Sequence, residues 1–379
     1  KDSIDRPFMA MFSGFGREMA RPATEAELAA GMAMRCGGCA AKIGPGPLSR
    51  ALSQLPPAPK PQDDVLVGLD RPDDAAVIAV APGLAEVETV DQIRAFVSDP
   101  YLFGQIAALH ALSDVIAMGA IPTRAQALAI APHAAPGKVE ADLVQLLAGA
   151  RRALDAHQVA LVGGHSSEGD SLALGFSVTG HIDPGAIRLK TGARTGDRLV
   201  LTKAIGTGVV LAADMRGAAT GETGQAAIAS MLQSNFCAGR ILAPFARAMT
   251  DVTGFGLAGH LLEMLRGTGL SAQLNLSAVP LLEGALALAK AGFRSSLTGQ
   301  NEVLAGALRS TRALEAHELA LLFDPQTSGG LLAALPPDAA AGCVEALRGE
   351  GHAAALIGEI VSADGAEVEI RCEGSFGPG

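Results

Sequence analysis

The hydrophobic pattern from residue 65 onward predicts short strands alternating with helices. Two apolar runs, 75–80 and 85–90, flank Pro82-Gly83 and predict a β-hairpin. Residues 101–118 place apolar side chains at helical spacing and predict a long helix. Further strands are predicted over 123–130, 159–162 (a buried one) and 172–179, and an amphipathic helix over 139–157. This order is typical of a mixed α/β domain.

The same kind of pattern starts again near Pro184. Pro244 predicts a kink or interruption in a second-half helix over 238–249. We expect an α/β (α+β) chain in three parts: an extension or linker over residues 1–34, an N-terminal domain over 35–184 and a C-terminal domain over 185–379. The other second-half predictions are strands over 199–202, 272–276, 331–335 and 353–357, and helices over 226–231 and 339–348. Residues 251–265 are predicted to form a glycine-rich turn followed by a helix.

Composition and net charge exclude several classes of function. A chain of 379 residues is long enough for two hydrophobic cores. Its net charge of −10 argues against a general binder of nucleic acid or anionic membranes. No apolar run approaches the ~20 residues of a membrane span, and five cysteines without a pairing pattern are typical of a reducing compartment. We therefore expect a cytoplasmic protein that has neither nucleic-acid nor membrane partners.

The segment from Cys36 to Lys42 holds two thiols, two glycines and an ammonium. Its glycines predict a mobile loop. A lysine three residues after Cys39 favours the thiolate and can meet an anionic substrate. A Cys-x-x-Cys pair also fits half a zinc site or a redox pair. The other three cysteines stand alone, however, and residues 32–35 do not predict the strand that precedes a redox pair.

Several carboxylates fall at positions where an unpaired charge is expensive. Asp73 and Asp74 precede a predicted strand, Asp91 follows another, and Asp114 lies among apolar residues of the long predicted helix. Mg²⁺ prefers a few carboxylates together with phosphate oxygens and water. This pattern predicts magnesium held against a nucleotide polyphosphate. In the alternative interpretation, Asp73 caps a turn and Asp91 is an ordinary residue at a strand end.

Three glycine-rich segments are predicted as turns: 163–166, 251–256 and 324–330. Glycine backbone and nearby hydroxyl groups can bind an anion, but such segments are also ordinary turn chemistry. The sequence contains neither a Walker A loop nor a dinucleotide-binding fingerprint. We interpret His165 and His260 as capping or packing residues.

Together these segments resemble the selenophosphate synthetase family. That family belongs to a superfamily with aminoimidazole ribonucleotide synthetase, thiamine-monophosphate kinase and a hydrogenase maturation protein. The resemblance covers roughly residues 36–370, and the first and last matching segments are particular to the family. Those segments are 39–42 (Cys-Ala-Ala-Lys), 73–77 (Asp-Asp-Ala-Ala-Val), 111–119 (Ala-Leu-Ser-Asp-Val-Ile-Ala-Met-Gly), 163–166 (Gly-Gly-His-Ser), 251–257 (Asp-Val-Thr-Gly-Phe-Gly-Leu) and 324–332 (Asp-Pro-Gln-Thr-Ser-Gly-Gly-Leu-Leu).

The resemblance implies a two-domain aminoimidazole ribonucleotide synthetase-like fold. It also implies a homodimer in which the N-terminal halves form a shared β-barrel, with ATP at the interface. The implied reaction converts ATP, hydrogen selenide and water to selenophosphate, AMP and phosphate, which supplies selenium for selenocysteine and selenouridine. The implied site residues are Cys39 and Lys42 for catalysis; Lys42, Asp91, Gly163, Gly164, His165 and Ser166 for nucleotide binding; and Asp74, Asp91, Asp114 and Asp251 for Mg²⁺.

Further expectations come from the same resemblance. K⁺ is a second candidate cofactor, and a selenium-delivery protein is a candidate partner. Residues 1–20 resemble the tail of an NADH dehydrogenase-like flavoprotein that is fused ahead of this synthetase in some bacteria. We therefore expect the synthetase half of such a fusion, without a flavin.

The chain departs from the family pattern at several positions. Ala40 and Ala41 stand where the family has Gly and Cys, and the extra thiol, Cys36, lies upstream. The aromatics usual after Asp91 are missing, and His110 replaces a common Asn. Two alternatives therefore stay open. One is another ATP-dependent kinase or ligase of the superfamily, and the other is a non-catalytic nucleotide-binding domain that regulates a flavoprotein.

Overall fold

Two β-sheets organise the fold, one in each half of the chain. The computed structural model describes residues 36–43, 50–52, 54–55, 63–69, 71–363 and 369–377. These residues belong to one folded unit, Cys36–Gly379. The predicted extension over residues 1–34, including the flavoprotein-like residues 1–20, lies outside the described part.

The first sheet has six strands in the order β1-β2-β3-β6-β4-β5. The predicted hairpin is confirmed, since β2 and β3 pair antiparallel with Val77 opposite Val87. Strand β5 pairs with β4 in parallel and forms one edge of the sheet. The strands are β1 Val65–Val67, β2 Ala76–Ala81, β3 Leu84–Arg94, β4 Ile121–Pro132, β5 Ala160–Gly169 and β6 Ala173–Ile182.

The second sheet has seven strands in the order β10-β13-β9-β12-β7-β11-β8. Strand β11, next to the edge strand β8, is fully buried, because it pairs with β7 and β8 and is covered on both faces. The strands are β7 Arg198–Leu201, β8 Ala248–Asp251, β9 Leu270–Asn275, β10 Leu308–Ser310, β11 Leu331–Leu335, β12 Ala355–Ser362 and β13 Ile370–Glu373.

Helix α1 lies at the centre of the molecule and positions the candidate site. Asp99 caps it by accepting hydrogen bonds from the amides of Tyr101 and Leu102. The helix is apolar on nearly all sides because it packs against β3, β6 and α2 and also against β8 of the second half. The helices are α1 Pro100–Ala117, α2 Pro136–Ala156, α3 Thr207–Asp214, α4 Gly221–Leu232, α5 Phe236–Leu242, α6 Gly256–Leu265, α7 Ala285–Lys290, α8 Thr298–Asn301, α9 Ala316–Leu322 and α10 Pro337–Gly349.

The prediction of a buried strand over 159–162 followed by a turn is wrong. Strand β5 continues through residues 163–166 to Gly169, and most of it is exposed because it lies at the edge of the sheet. Its glycines permit close strand pairing instead of a turn. A Cβ atom on Gly164 would lie 2.1 Å from the carbonyl oxygen of Ala127.

Two other boundaries also differ from prediction. Strand β3 continues to Arg94, so Asp91 lies inside the strand and not after its end. Helix α5 stops at Leu242, just before Pro244, and residues 248 and 249 belong to strand β8. Proline supplies no backbone N–H, so the helical hydrogen bonds end near it. Among the described helices, none combines the length and apolarity needed to cross a membrane.

Candidate active site

Facing side chains of β3 and α1 form the centre of the site. Thr89 and Asp91 point to the same side of β3, because side chains alternate along a strand. His110 and Asp114, four residues apart, lie on one face of α1. Thr89 Oγ1 donates to Asp114 Oδ2 at 2.7 Å, and His110 Nε2 lies 2.8 Å from Asp91 Oδ2.

The Cys39–Lys42 segment completes this arrangement. Lys42 Nζ donates to Asp91 Oδ2 at 2.8 Å. Cys39 Sγ lies 3.3 Å from His110 Nε2, and both side chains are almost completely excluded from solvent. A thiol, an imidazole, a carboxylate and an ammonium are therefore in continuous contact. Cys39 and Lys42 are close in the sequence, and in the structure His110 and Asp91 connect their side chains.

The same segment is held by hydrogen bonds, contrary to the expectation of a mobile loop. Residues Cys39–Ala41 form a 3₁₀ turn. The amide of Gly38 donates to the carbonyl of Arg94 at 2.8 Å, and the amide of Cys39 donates to Thr327 Oγ1 at 3.1 Å. A Cβ atom on Gly37 would lie 2.4 Å from the carbonyl oxygen of Ala95. The glycines thus let the loop approach the end of β3.

The segment over residues 324–330 is buried and supports Cys39 from the second half. Its Thr327 is the residue that binds the Cys39 amide. Gln326 Oε1 accepts from the Gly206 amide at 2.9 Å, and Asp324 Oδ2 accepts from the Gly208 amide at 2.9 Å, so both bind around the start of α3. Burial raises the pKa of Asp324 to about 7.

A cluster of acidic side chains extends from this centre toward the second half. Asp74 Oδ1 accepts from Thr250 Oγ1 at 3.0 Å and lies 2.8 Å from Lys190 Nζ. Burial, together with the charges of Asp251 and Asp91, raises the pKa of Asp114 to about 7. The Oδ2 atoms of Asp74 and Asp251 are both buried without a hydrogen-bond partner.

These orphaned oxygens are hard donors, the chemistry that Mg²⁺ selects. Within the described residues, however, no group of three His, Cys, Asp or Glu side chains forms a ready-made metal site. Asp91 and Asp74 already contact lysines, whereas Asp114 and Asp251 do not have such a partner among the described ion pairs. The donor set therefore fits a cation that also receives ligands from phosphate and water. Cys36 and Cys39 are free thiols, and this part of the chain does not support the zinc alternative.

Two clefts give access to the site. One, of about 430 Å³, is lined by Lys42 and Arg94 and by residues 168–171. The other, of about 260 Å³, is lined by Asp73, Asp74 and Thr89. The first is within the size range of small-molecule sites.

Not every predicted residue belongs to this cluster. In the described chain, no side-chain hydrogen bond or ion pair joins residues 163–166 to it, and His165 is exposed on β5. His260 is buried, with Nδ1 3.1 Å from Glu263, and its ring packs against Phe255. Its interpretation as a packing residue is confirmed.

Sequence reasoning missed the contacts that His110, Lys190 and Thr327 make in the candidate site. The helical spacing of His110 and Asp114 was a signal that could have identified the first. Lys190 lies between the two sheets in sequence, where no local pattern links it to Asp74. Thr327 belongs to a recognised motif, but its partner Cys39 is 288 residues away.

Comparison with known proteins identifies the family. The model for "AIR synthase related protein, N-terminal domain" matches residues 72–182, and its C-terminal counterpart matches residues 194–371. A selenide, water dikinase of Geobacter metallireducens is 43% identical over 86% of this chain and 95% of its own length. One from Myxococcus xanthus is 40% identical over 86% and 92%. The chain belongs to the selenide, water dikinase family.

Solved structures support the family's fold. A thiamine-monophosphate kinase from Stenotrophomonas maltophilia has a TM-score of 0.59 and 22% identity, covering 87% of this chain and 96% of that one. The E. coli hydrogenase maturation protein HypE has a TM-score of 0.54 and 20% identity, covering 76% and 82%. The predicted aminoimidazole ribonucleotide synthetase-like fold is thus confirmed.

Proposed function

We propose that this chain converts ATP, hydrogen selenide and water to selenophosphate, AMP and phosphate. Membership of the selenide, water dikinase family supports an ATP-dependent phosphotransferase. The observation that carries the assignment to this site is the contact between Cys39 and His110, 3.3 Å apart, next to Asp91 and Lys42. This arrangement combines a soft nucleophile with a cation that is suited to phosphate.

Cys39 handles the selenium in this proposal. Its sulfur is shielded from water and lies beside an imidazole that can donate to or accept from it. A polarisable sulfur suits a selenium species better than a hydroxyl would. The Thr327 hydrogen bond fixes the Cys39 backbone, so the thiol is positioned before substrate binds.

Lys42 stabilises the charge on the phosphate groups. Burial would lower the pKa of Lys42, but the charges of Asp91, Cys39 and Asp114 raise it well above its ordinary value, so the side chain stays cationic. Its side chain is 32% exposed and lines the 430 Å³ cleft. An ammonium placed there can meet charge that develops on a transferring phosphoryl group.

Magnesium completes the nucleotide site in this proposal. Asp74, Asp91, Asp114 and Asp251 would hold the ion, and the unpartnered Oδ2 atoms of Asp74 and Asp251 support this choice. Bound Mg²⁺ would neutralise charge on the polyphosphate. Residues 163–166 form a further part of the nucleotide site, and K⁺ is a second candidate cofactor.

The chain acts as a cytoplasmic homodimer in this proposal. The first sheet leaves large apolar side chains exposed to solvent, including Val80, Val90 and Val162. Such exposed apolar surface supports a β-barrel shared with a second copy of the chain, which would cover it. A selenium-delivery protein is a candidate partner. The domain division at residues 35–184 and 185–379 belongs to the same proposal, as does fusion to a flavoprotein.

Phosphorus NMR of the purified chain under anaerobic conditions tests the reaction. With ATP and Mg²⁺, we expect a selenium-coupled phosphorus signal and AMP only when selenide is added. Cys39→Ala and Lys42→Ala should each abolish both. Cys237→Ala is the matched control, because that partly exposed thiol lies on α5. Formation of ADP without the selenium-coupled signal would favour a kinase-like relative, and intact ATP would favour a regulatory domain.

A further inference from the structure

Lys203, two residues after β7, is buried, with 1% of the residue exposed. Its side-chain nitrogen donates to two backbone carbonyl oxygens, that of Ser328 at 2.9 Å and that of Gln233 at 2.5 Å. Burying an ammonium costs free energy, because the group loses its water. An apolar side chain of similar length would avoid this cost. The reason for a lysine at this position therefore lies in the carbonyl groups that it holds.

Ser328, one of these two partners, has a strained backbone. Its φ of 50° lies in the left-handed region, which is unfavourable for residues other than glycine. The Ser328 hydroxyl donates to the carbonyl oxygen of Met231 at 2.8 Å, while Lys203 holds the Ser328 carbonyl. A strained conformation persists only where the surrounding contacts fix it. Lys203 and Met231 supply such contacts.

The next two carbonyl groups along the chain are held as well. Asn235 Nδ2 donates to the carbonyl oxygen of Gly329 at 2.8 Å, and the amide of Val252 donates to that of Gly330 at 2.8 Å. A Cβ atom on Gly329 would lie 1.9 Å from the carbonyl oxygen of Val252, so this backbone is closely packed. Lys203 thus belongs to a set of donors that fixes the segment after Thr327.

Thr327 connects this fixed segment to the candidate site. Its Oγ1 accepts the hydrogen bond from the Cys39 amide at 3.1 Å. A Cβ atom on Gly38 would lie 2.3 Å from the same oxygen, so the two segments are in close contact. The peptide group between Thr327 and Ser328 is shared by both residues. A change in the conformation of Ser328 therefore also changes the direction of Thr327 Oγ1.

We propose that Lys203 is a positioning residue for Cys39. Lys203 holds Ser328 in the left-handed conformation, and this conformation directs Thr327 Oγ1 to the Cys39 amide. Lys203 acts through Thr327 and is not itself a catalytic residue. The consequence for selenium chemistry rests on the proposed function, whereas the positioning of the thiol can be measured without turnover.

Alkylation of Cys39 measures this positioning. The full chain and Lys203→Met, which keeps a long side chain but removes the donor, are treated with iodoacetamide, and tandem mass spectrometry follows each cysteine. Cys39 should react about fivefold faster in Lys203→Met, the effect of one lost hydrogen bond. Cys372, buried on β13, reports general loosening of the fold and should keep its rate. Lys290→Met is the matched control, because that exposed lysine ends α7.

Two substitutions of Ser328 test the left-handed conformation with Lys203 in place. Ser328→Ala and Ser328→Gly both remove the hydroxyl, but only glycine adopts a positive φ without strain. Cys39 should therefore react faster in Ser328→Ala than in Ser328→Gly. Lys203→Met should also accelerate the reaction by a smaller factor in the Ser328→Gly chain than in the chain with Ser328, because the two residues are coupled.

Three results would overturn the inference: an unchanged Cys39 rate in Lys203→Met, an equal acceleration at Cys372, or equal rates in Ser328→Ala and Ser328→Gly. In the selenophosphate assay, Lys203→Met should lower kcat about fivefold and leave KM for ATP unchanged. A raised KM with unchanged kcat would also contradict the inference. Failure of the proposed function is distinguishable, since the unchanged chain would then make no selenophosphate while the alkylation rates still decide the role of Lys203.

Discussion

Replacing Asp91 with asparagine removes the charge that holds the candidate site together. The carboxylate is 8% exposed and contacts two cationic groups, Lys42 and His110, at 2.8 Å each. Removing one partner of a buried ion pair costs about 3–5 kcal/mol. At an unfolding entropy of ~2.1 cal/mol/K per residue, a chain of 379 residues should lose about 4–6 °C in its unfolding midpoint.

The pH dependence of the unfolding midpoint distinguishes loss of the Asp91 charge from a change in the shape of that side chain. Burial alone would raise the pKa of Asp91, but the charges of His110 and Lys42 hold it well below its usual range. The native carboxylate therefore stabilises the fold at every pH above the unfolded pKa of about 4, and this contribution is lost as the pH falls further. The midpoint difference between Asp91→Asn and the unchanged chain should be constant from pH 7 to 5 and shrink below about pH 4.

Calorimetry in magnesium-free buffer measures both effects. Asp142→Asn is the control, because its exposed ion pair with Lys138 on α2 contributes at most about 0.5 kcal/mol. If Asp91→Asn unfolds within about 1 °C of the unchanged chain at pH 7, the buried contacts of Asp91 with Lys42 and His110 do not stabilise the fold.

Three further predictions concern strand pairing in the first sheet and the residues that support the site. Gly164→Ala should lower the unfolding midpoint, because its Cβ would lie 2.1 Å from the Ala127 carbonyl; an unchanged calorimetric midpoint would contradict the observed pairing. Asp324 has a pKa raised to about 7, so native stability should fall as pH rises from about 4 to 7, and Asp324→Asn should flatten that profile in urea titrations. Thr327→Val removes the hydrogen bond to the Cys39 amide and should cost about 1 kcal/mol. It should also lower kcat for selenophosphate more than it changes KM for ATP, whereas unchanged kcat would separate Thr327 from Cys39 positioning.

The local hydrophobic pattern was sufficient for elements whose periodicity is clear within a short window. The hairpin around Pro82-Gly83 and helix α1 follow from short-range periodicity, and both are confirmed. Residues 163–166 were misassigned because Gly-Gly has the same appearance in a turn and in a closely paired strand. Only the neighbouring strand β4 distinguishes the two.

The sequence by itself determined the family motifs, the mixed α/β class and the choice of Cys39, Lys42 and Asp91 as candidate site residues. Tertiary structure decided how these groups are connected. It placed His110 between the thiol and the carboxylate, brought Thr327 to Cys39 across 288 residues, and set Lys190 on Asp74. Periodicity reports which face of an element is buried, because burial depends on local spacing. Which charge meets which depends on how separate elements pack, and that information is absent from any local window of the chain.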